Sequence, residues 1–168
     1  MNKIEELKFI IGRFDHYFDS VNGKGNLYLT LNTFLLGGAI AGYAGLLSVK
    51  ICNLAWPELV LFCAICFCNA VVFFFSIAAI FPFVSDRQGG SSIFYGDLAG
   101  RTEPEWKALF SAVQPAAYEQ DLTEQAHNLA IGLNTKFMRL RKATWWILIE
   151  FVLFLIAGIY LLIKHYIK

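Results

Sequence analysis

Three long apolar runs constrain the fold of this chain more than any other feature of its sequence. They lie within residues 26–49, 58–84 and 144–164, and each is long enough to supply the roughly 20 apolar residues that an α-helix needs to cross a bilayer core. Only 16% of the 168 residues are charged, against about 25% in an average soluble domain. The sequence therefore predicts an all-α membrane protein with three transmembrane helices.

The basic residues indicate how these spans are oriented. Four of the 14 Lys and Arg residues precede the first span and seven lie between the second and third, whereas one lies between the first two and two follow the third. Cytoplasmic segments of membrane proteins are enriched in Lys and Arg. We therefore expect a cytoplasmic N-terminus, an external C-terminus and a small helical cytoplasmic cap, formed by residues 1–25 and 85–143.

The N-terminal segment predicts an amphipathic helix. Apolar residues recur at steps of three and four between Lys3 and Val21, and the stretch Asn22-Gly23-Lys24-Gly25 predicts a kink or short break before the first span. Two placements stay open for this helix. It can lie flat on the inner leaflet, or it can pack against the other cytoplasmic segment, which its mixture of acidic and basic residues favours.

The second cytoplasmic segment predicts two further helices. Thr102-Glu103-Pro104-Glu105 has the pattern of a capping box with proline in the first turn, so a helix should begin there and run to about Val113. A longer helix should begin near Asp121, as its N-cap, and continue to about Lys164 through the third span. Movement of this stalk would be transmitted directly to the membrane.

The spans contain glycine and amide residues that indicate close helix packing. In the stretch "GAIAG", Gly38 and Gly42 lie about one helical turn apart, which lets helix backbones approach closely within or between subunits. Asn32 and Asn69 lie within spans and need partners on neighbouring helices. Either packing contacts or the lining of a pore would account for them. We expect a homo-oligomer, since three helices cannot enclose an aqueous ion path.

No residue pattern indicates catalysis or a metal centre. Cys63, Cys66 and Cys68 lie inside the second span, where cysteine serves as a small apolar side chain. His16 and His127 have no serine or cysteine nucleophile evidently placed near them. The net charge of +1 gives no field that would attract nucleic acid. We therefore predict neither an enzyme nor a nucleic-acid-binding protein.

One polar, glycine-rich loop is a candidate ligand site. In "SDRQGGSSIFYGDLAG", which begins at Ser85, a cation and a glycine-serine turn can hold an anion, two aromatic rings can stack on a base, and polar side chains can bind its edge. The predicted ligand residues are Arg87, Gln88, Ser91, Ser92, Phe94, Tyr95, Asp97 and, from the stalk, Lys136. The alternatives are a plain connector, a short strand or a membrane-surface anchor.

Taken in order, three stretches resemble the Pycsar transmembrane effectors of bacterial antiphage defence. They are "VNGKGNLYLTLN", "IFPFVSDRQGGSSIFYGDLAG" and "DLTEQAHNLAIGLNTKFMRLRKATWW". The residues that fit the family pattern are Lys24, Asn32, Pro82, Phe94, Tyr95, Gly96, Gln125, Lys136 and Phe137. Asn22 stands where the family pattern has aspartate, and Phe83 where a basic residue often follows the proline.

The resemblance implies a function for the whole chain. Such effectors reside in the bacterial inner membrane and respond to cyclic CMP or cyclic UMP, made by a partner cyclase after phage infection. They then impair the membrane, so that the infected cell dies or stops growing. The resemblance assigns no ligand residues and implies no cofactor. The alternative function is a constitutive membrane scaffold, or a small ion channel, whose cytoplasmic helices bind a protein partner.

The orientation of the spans can be tested directly. Single-cysteine labelling or reporter fusions at Ser92 and Lys168 should place these two positions on opposite sides of the membrane, with Ser92 inside. Finding both positions on the same side would contradict the arrangement with three spans.

Overall fold

The computed structural model describes residues 2–48, 56–82 and 90–166. Its helices are α1 (Lys3–Ser48), α2 (Trp56–Ile80), α3 (Tyr95–Ala99), α4 (Glu103–Ala112) and α5 (Pro115–Tyr166). Within the described ranges no residue is in a β-strand. The helices α1, α2 and α5 are long and apolar enough to cross a membrane. The predicted all-α membrane fold with three spans is confirmed.

The chain divides into two compact units, which we describe separately. The polar unit comprises Met1–Ser20 and Pro82–Thr135, and the membrane unit comprises Val21–Phe81 and Lys136–Lys168. The membrane unit contains all of α2 and the apolar parts of α1 and α5. The polar unit contains α3, α4 and the first part of α5.

Of the kink or short break predicted at residues 22–25, the break is wrong, because α1 continues through these residues without interruption. Glycine in a helix interior costs about 1 kcal/mol relative to alanine, but packing accounts for Gly25. A Cβ atom at Gly25 would lie 2.6 Å from Ile80 Cγ1, so α1 approaches α2 where a larger side chain would collide. The glycine therefore allows close packing instead of ending the helix.

The start of α5 also differs from the prediction. The helix begins at Pro115, and Asp121 lies inside it instead of capping its end. Proline suits the first position of a helix, because its missing N–H would have no partner there. The predicted continuity of the stalk is confirmed, since α5 extends without a break from Pro115 to Tyr166. Asp121 binds another part of the polar unit instead.

The predicted start of α4 is confirmed. The backbone N–H and the hydroxyl of Thr102 each donate to Glu105 Oε2 at 2.8 Å. These hydrogen bonds, that of the backbone first, lower the pKa of the Glu105 carboxyl below its ordinary value. The helix ends at Ala112, with Val113 as its C-cap.

Two glycines of α1 provide a matched test of this packing. Gly25→Leu should lower the thermal unfolding temperature of the purified protein in detergent, because forcing a side chain into a packed interface typically costs about 1–3 kcal/mol. Gly23→Leu should leave that temperature unchanged, since nothing lies within 4 Å of a Cβ at Gly23. Equal unfolding temperatures for the two variants would contradict the close approach at Gly25.

Candidate functional site

The described part of the candidate ligand loop begins at a glycine in a left-handed conformation. Gly90 has φ of 129°, a value that L side chains rarely adopt. The N–H groups of Gly90 and Ser91 both donate to Asp97 Oδ2, at 2.9 and 2.7 Å. Asp97 lies on α3, so its carboxylate fixes the loop to the short helix that follows it.

A second carboxylate fixes the same loop to α5. Asp121 accepts the Ser92 N–H at 2.7 Å and the Ser92 hydroxyl at 2.9 Å, both at Oδ2. The Ser91 hydroxyl donates to Asp121 Oδ1 at 2.8 Å, and Ser91 Oγ also accepts the N–H of Phe94 at 2.9 Å. All three of Ser91, Ser92 and Asp121 are buried. The loop is therefore an ordered structure tied to the start of the stalk.

The two predicted stacking residues follow directly. The ring centroids of Phe94 and Tyr95 lie 4.9 Å apart, and Tyr95 is 65% exposed. A Cβ at Gly96 would lie 2.7 Å from Phe94 Cε1, so the Phe-Tyr-Gly sequence requires its glycine. Tyr95 is thus available for stacking, whereas Phe94 is half-buried.

The structure changes how an anion would bind to this loop. The N–H groups of Gly90, Ser91 and Ser92, which the sequence offers as an anion nest, already donate to Asp97 and Asp121. A phosphate can use these donors only by displacing a carboxylate. Arg87 and Gln88 lie outside the described residues, so their part in a ligand site stays a prediction.

A cavity of about 500 Å³ opens beside the loop in the polar unit. Binding pockets for small molecules typically measure about 300–1,000 Å³. The residues that line it are Gly90, Ser91, Ser92, Leu109, Ala112, Val113, Gln114, Ala117, Gln120, Asp121 and Glu124. Its walls therefore combine apolar side chains with amides and carboxylates. The carboxylates were not among the predicted ligand residues, because the sequence placed Asp121 at a helix end.

In the membrane unit, Asn32 and Asn69 bind each other. Asn32 Nδ2 donates to the carbonyl oxygen and to Oδ1 of Asn69, both at 3.1 Å, and Asn69 Nδ2 donates to the carbonyl oxygen of Asn32 at 2.8 Å. Both side chains are buried. The expectation that these amides need partners on neighbouring helices is met, since the pair joins α1 to α2. Whether they also line a pore stays a prediction.

Sequence reasoning missed Glu150, which completes this cluster. Asn69 Nδ2 also donates to Glu150 Oε1 at 3.2 Å, and the Glu150 side chain is 0% exposed. The cluster thus joins α1, α2 and α5 inside the membrane unit. An acidic residue in an otherwise apolar span is a signal of function. A single acidic residue hardly lowers the mean hydropathy of the third span, so the apolar length of the span gives no sign of Glu150.

Lys136, which the sequence predicts as a ligand residue, contacts the end of α2, and its part in a ligand site stays a prediction. Its Nζ donates to the carbonyl oxygens of Ala79 and Ile80, at 2.8 and 2.9 Å, and to Asn22 Oδ1 at 3.2 Å. Arg139 donates to the carbonyl oxygen of Ala78 at 2.6 Å. The last carbonyls of a helix lack partners within the helix and attract cations. Lys136 and Arg139 therefore cap the end of α2.

Other residues named from the sequence have simpler surroundings. Cys63, Cys66 and Cys68 are free thiols on α2, and in the described ranges no group of three or more His, Cys, Asp or Glu side chains is arranged to hold a metal ion. Gly38 and Gly42 have nothing within 4 Å of a Cβ position, and both line an apolar cavity of about 240 Å³ in the membrane unit. These glycines are not used for close contacts within the described chain.

The fold and these two sites define an all-α protein with three transmembrane helices and a polar helical unit. The chain belongs to the Pycsar effector family, because the Pycsar effector protein domain matches residues 6–163. The resemblance seen in the sequence is confirmed, and the chain is a membrane protein of antiviral defence. Neither a curated protein nor a solved structure is similar enough to the chain to count as a match.

The carboxylate of Asp121 provides a test of the loop structure. Asp121→Ala should increase amide hydrogen exchange at residues 90–94, since it leaves several donors of Ser91 and Ser92 unpaired. Each lost hydrogen bond to a charged group costs about 1.5–3 kcal/mol. The control is Glu119→Ala, which removes a half-buried carboxylate paired with the exposed Lys3 at 3.3 Å. Exposed pairs contribute about 0–1 kcal/mol.

Hydrogen exchange followed by mass spectrometry on the full chain in detergent distinguishes the two variants. Exchange at residues 90–94 should rise in Asp121→Ala and stay at the parent level in Glu119→Ala. Unchanged exchange in both would contradict the assignment of Asp121 as the group that orders the loop.

Proposed function

We propose that this chain is a membrane-impairing antiphage effector that senses a cyclic pyrimidine mononucleotide, cyclic CMP or cyclic UMP, with its polar unit. The observation that carries the proposal is the family match, which covers residues 6–163 and hence most of both units. The messenger comes from a partner cyclase, and the response is loss of inner-membrane integrity and abortive infection. The chain acts by binding and not by catalysis.

The cavity beside the loop supports the location of the sensor. A cyclic mononucleotide has a ring that stacks, a base edge with hydrogen-bond donors and one negative charge. Tyr95 is exposed near the loop for stacking, Gln114 and Gln120 offer amides, and Asp121 and Glu124 accept hydrogen bonds from base N–H groups. Arg87 is the proposed counter-ion of the phosphate.

We propose that competition between two anions couples ligand binding to the third span. The phosphate would compete with the Asp121 carboxylate for the N–H of Ser92 and for the hydroxyls of Ser91 and Ser92. A ligand that takes these donors releases Asp121, which lies on the same continuous helix as the third span. Because a ligand shifts an equilibrium only by its differential affinity for two states, displacement of Asp121 gives the two states different affinities.

Membrane impairment also requires several copies of the chain. One protomer supplies three helices, too few to surround an aqueous path, so we propose a homo-oligomer in the inner membrane with the N-terminus in the cytoplasm. The open face at Gly38 and Gly42 supports this proposal, since small residues there leave room for a helix of a second copy.

Titration of the purified chain with cyclic CMP, cyclic UMP, cyclic AMP and cyclic GMP tests the proposal, with calorimetry and dye release from reconstituted vesicles as readouts. A cyclic pyrimidine nucleotide should bind and cause release. Arg87→Ala should weaken binding ten- to a hundred-fold, the effect of losing a charge-assisted hydrogen bond of about 1.5–3 kcal/mol. Tyr95→Ala should weaken it similarly, through lost stacking of about 1–3 kcal/mol.

The control for these variants is Arg101→Ala, which removes the same charge from the segment after α3 and should bind like the parent. If Arg87→Ala and Tyr95→Ala both bind and respond like the parent, the loop is only a connector. If none of the four nucleotides binds the parent, the alternative of a constitutive scaffold or small channel is favoured.

A further inference from the structure

One stripe of α5 carries three ionisable residues at equal spacing. Lys136 and Glu150 are buried, and the steps of three and four residues that join them through Leu140, Ala143 and Ile147 continue to Lys164. Each lysine is 14 residues from Glu150, or roughly 21 Å along a helix. Glu150 lies inside the third span, residues 144–164, and hence within the bilayer core, which is about 30 Å thick.

The charges at the two ends of this stripe are already engaged. Lys164 forms an ion pair with Glu58, which is buried at the start of α2. Lys136 donates its hydrogen bonds to the end of α2 and to Asn22. Neither lysine neutralises Glu150. Among the described residues, Asn69 is the hydrogen-bond donor to this carboxylate, and it binds Oε1.

The cluster leaves buried oxygen atoms without donors. Glu150 Oε2 and Asn32 Oδ1 have no hydrogen-bond partner within the described chain. The amide orientations are fixed by the network, since Asn32 Nδ2 and Asn69 Nδ2 both point at oxygen acceptors. A buried acceptor without a donor costs about 1–3 kcal/mol, and more where it is charged. The atoms of this cluster that can still accept a ligand are therefore oxygen atoms.

Oxygen acceptors that include one ionisable carboxyl group suit a monovalent cation. Carboxylate and carbonyl oxygens replace the hydration shell of cations in selective pores. A single carboxylate compensates one positive charge, and a divalent ion would leave a net charge in the membrane interior, which is costly. An anion would be repelled by the same oxygens. The chemistry of the site thus favours a monovalent cation such as Na⁺ or K⁺ over either alternative.

We propose that Glu150, together with Asn32 and Asn69, binds a monovalent cation inside the membrane unit. The binding site stands on the geometry of the membrane unit alone, and its test is independent of the proposed function.

The experiment that tests this site needs no cyclic nucleotide. The thermal unfolding of the full chain in detergent is measured in NaCl, KCl and N-methyl-D-glucamine chloride at equal ionic strength. A ligand that binds the native state stabilises it, so Na⁺ or K⁺ should raise the unfolding temperature of the parent above its value in N-methyl-D-glucamine. Glu150→Gln, which keeps an oxygen for Asn69, should lose this difference.

Glu58→Gln is the control, since it removes a carboxylate that is paired with Lys164, and it should keep the cation dependence. Equal unfolding temperatures of the parent in all three salts would overturn the site, leaving Glu150 as a hydrogen-bonding partner of Asn69 only. The same dependence in Glu150→Gln as in the parent would also overturn it.

Discussion

The membrane unit depends on the hydrogen bonds between Asn32 and Asn69. In hydrocarbon no water replaces a lost partner, so the three bonds that join these amides fix the register of α1 against α2. The bond from Asn69 to Glu150 adds α5 to the same contact. Apolar packing in a membrane has little preference for one register over another, since lipid is as apolar as leucine. The amides supply that preference.

In the polar unit, carboxylates and not amides hold the elements together. There two carboxylates, Asp97 and Asp121, gather the N–H and hydroxyl groups of the loop that begins at Gly90. Asp121 and Glu150 both belong to α5, which is thus held at one point in the polar unit and at another in the membrane unit. The helix α5 therefore contributes a carboxyl group to the polar cluster of each unit, Asp121 in the polar unit and Glu150 in the membrane unit.

The sequence predicts the features whose signals are local. Apolar length predicts the three spans, and the pattern Thr102–Glu105 predicts the start of α4. It does not predict features that depend on distant residues. Gly25 lies inside α1, where it packs closely against Ile80, and Asp121 lies inside α5, where it binds Ser91 and Ser92 instead of capping the helix. The loop residues Ser91, Ser92 and Asp97 do come together, but only the structure shows that carboxylates already fill the expected anion nest.

Because Asp97 and Asp121 already accept the N–H groups of this loop, a nucleotide must displace a carboxylate to bind those groups. Any ligand must supply more to the loop than Asp121 does, and each charged hydrogen bond that it replaces is worth about 1.5–3 kcal/mol. Shifting a two-state equilibrium from 1:99 to 99:1 needs about 5.5 kcal/mol of differential affinity. Exchanging two or three bonds to Asp121 for similar bonds to the ligand does not by itself supply this free energy. A further contact, such as that of Arg87, must exist in the liganded state alone. A neutral ligand of the same shape would bind the cavity without displacing the carboxylate, and would leave α5 where it is.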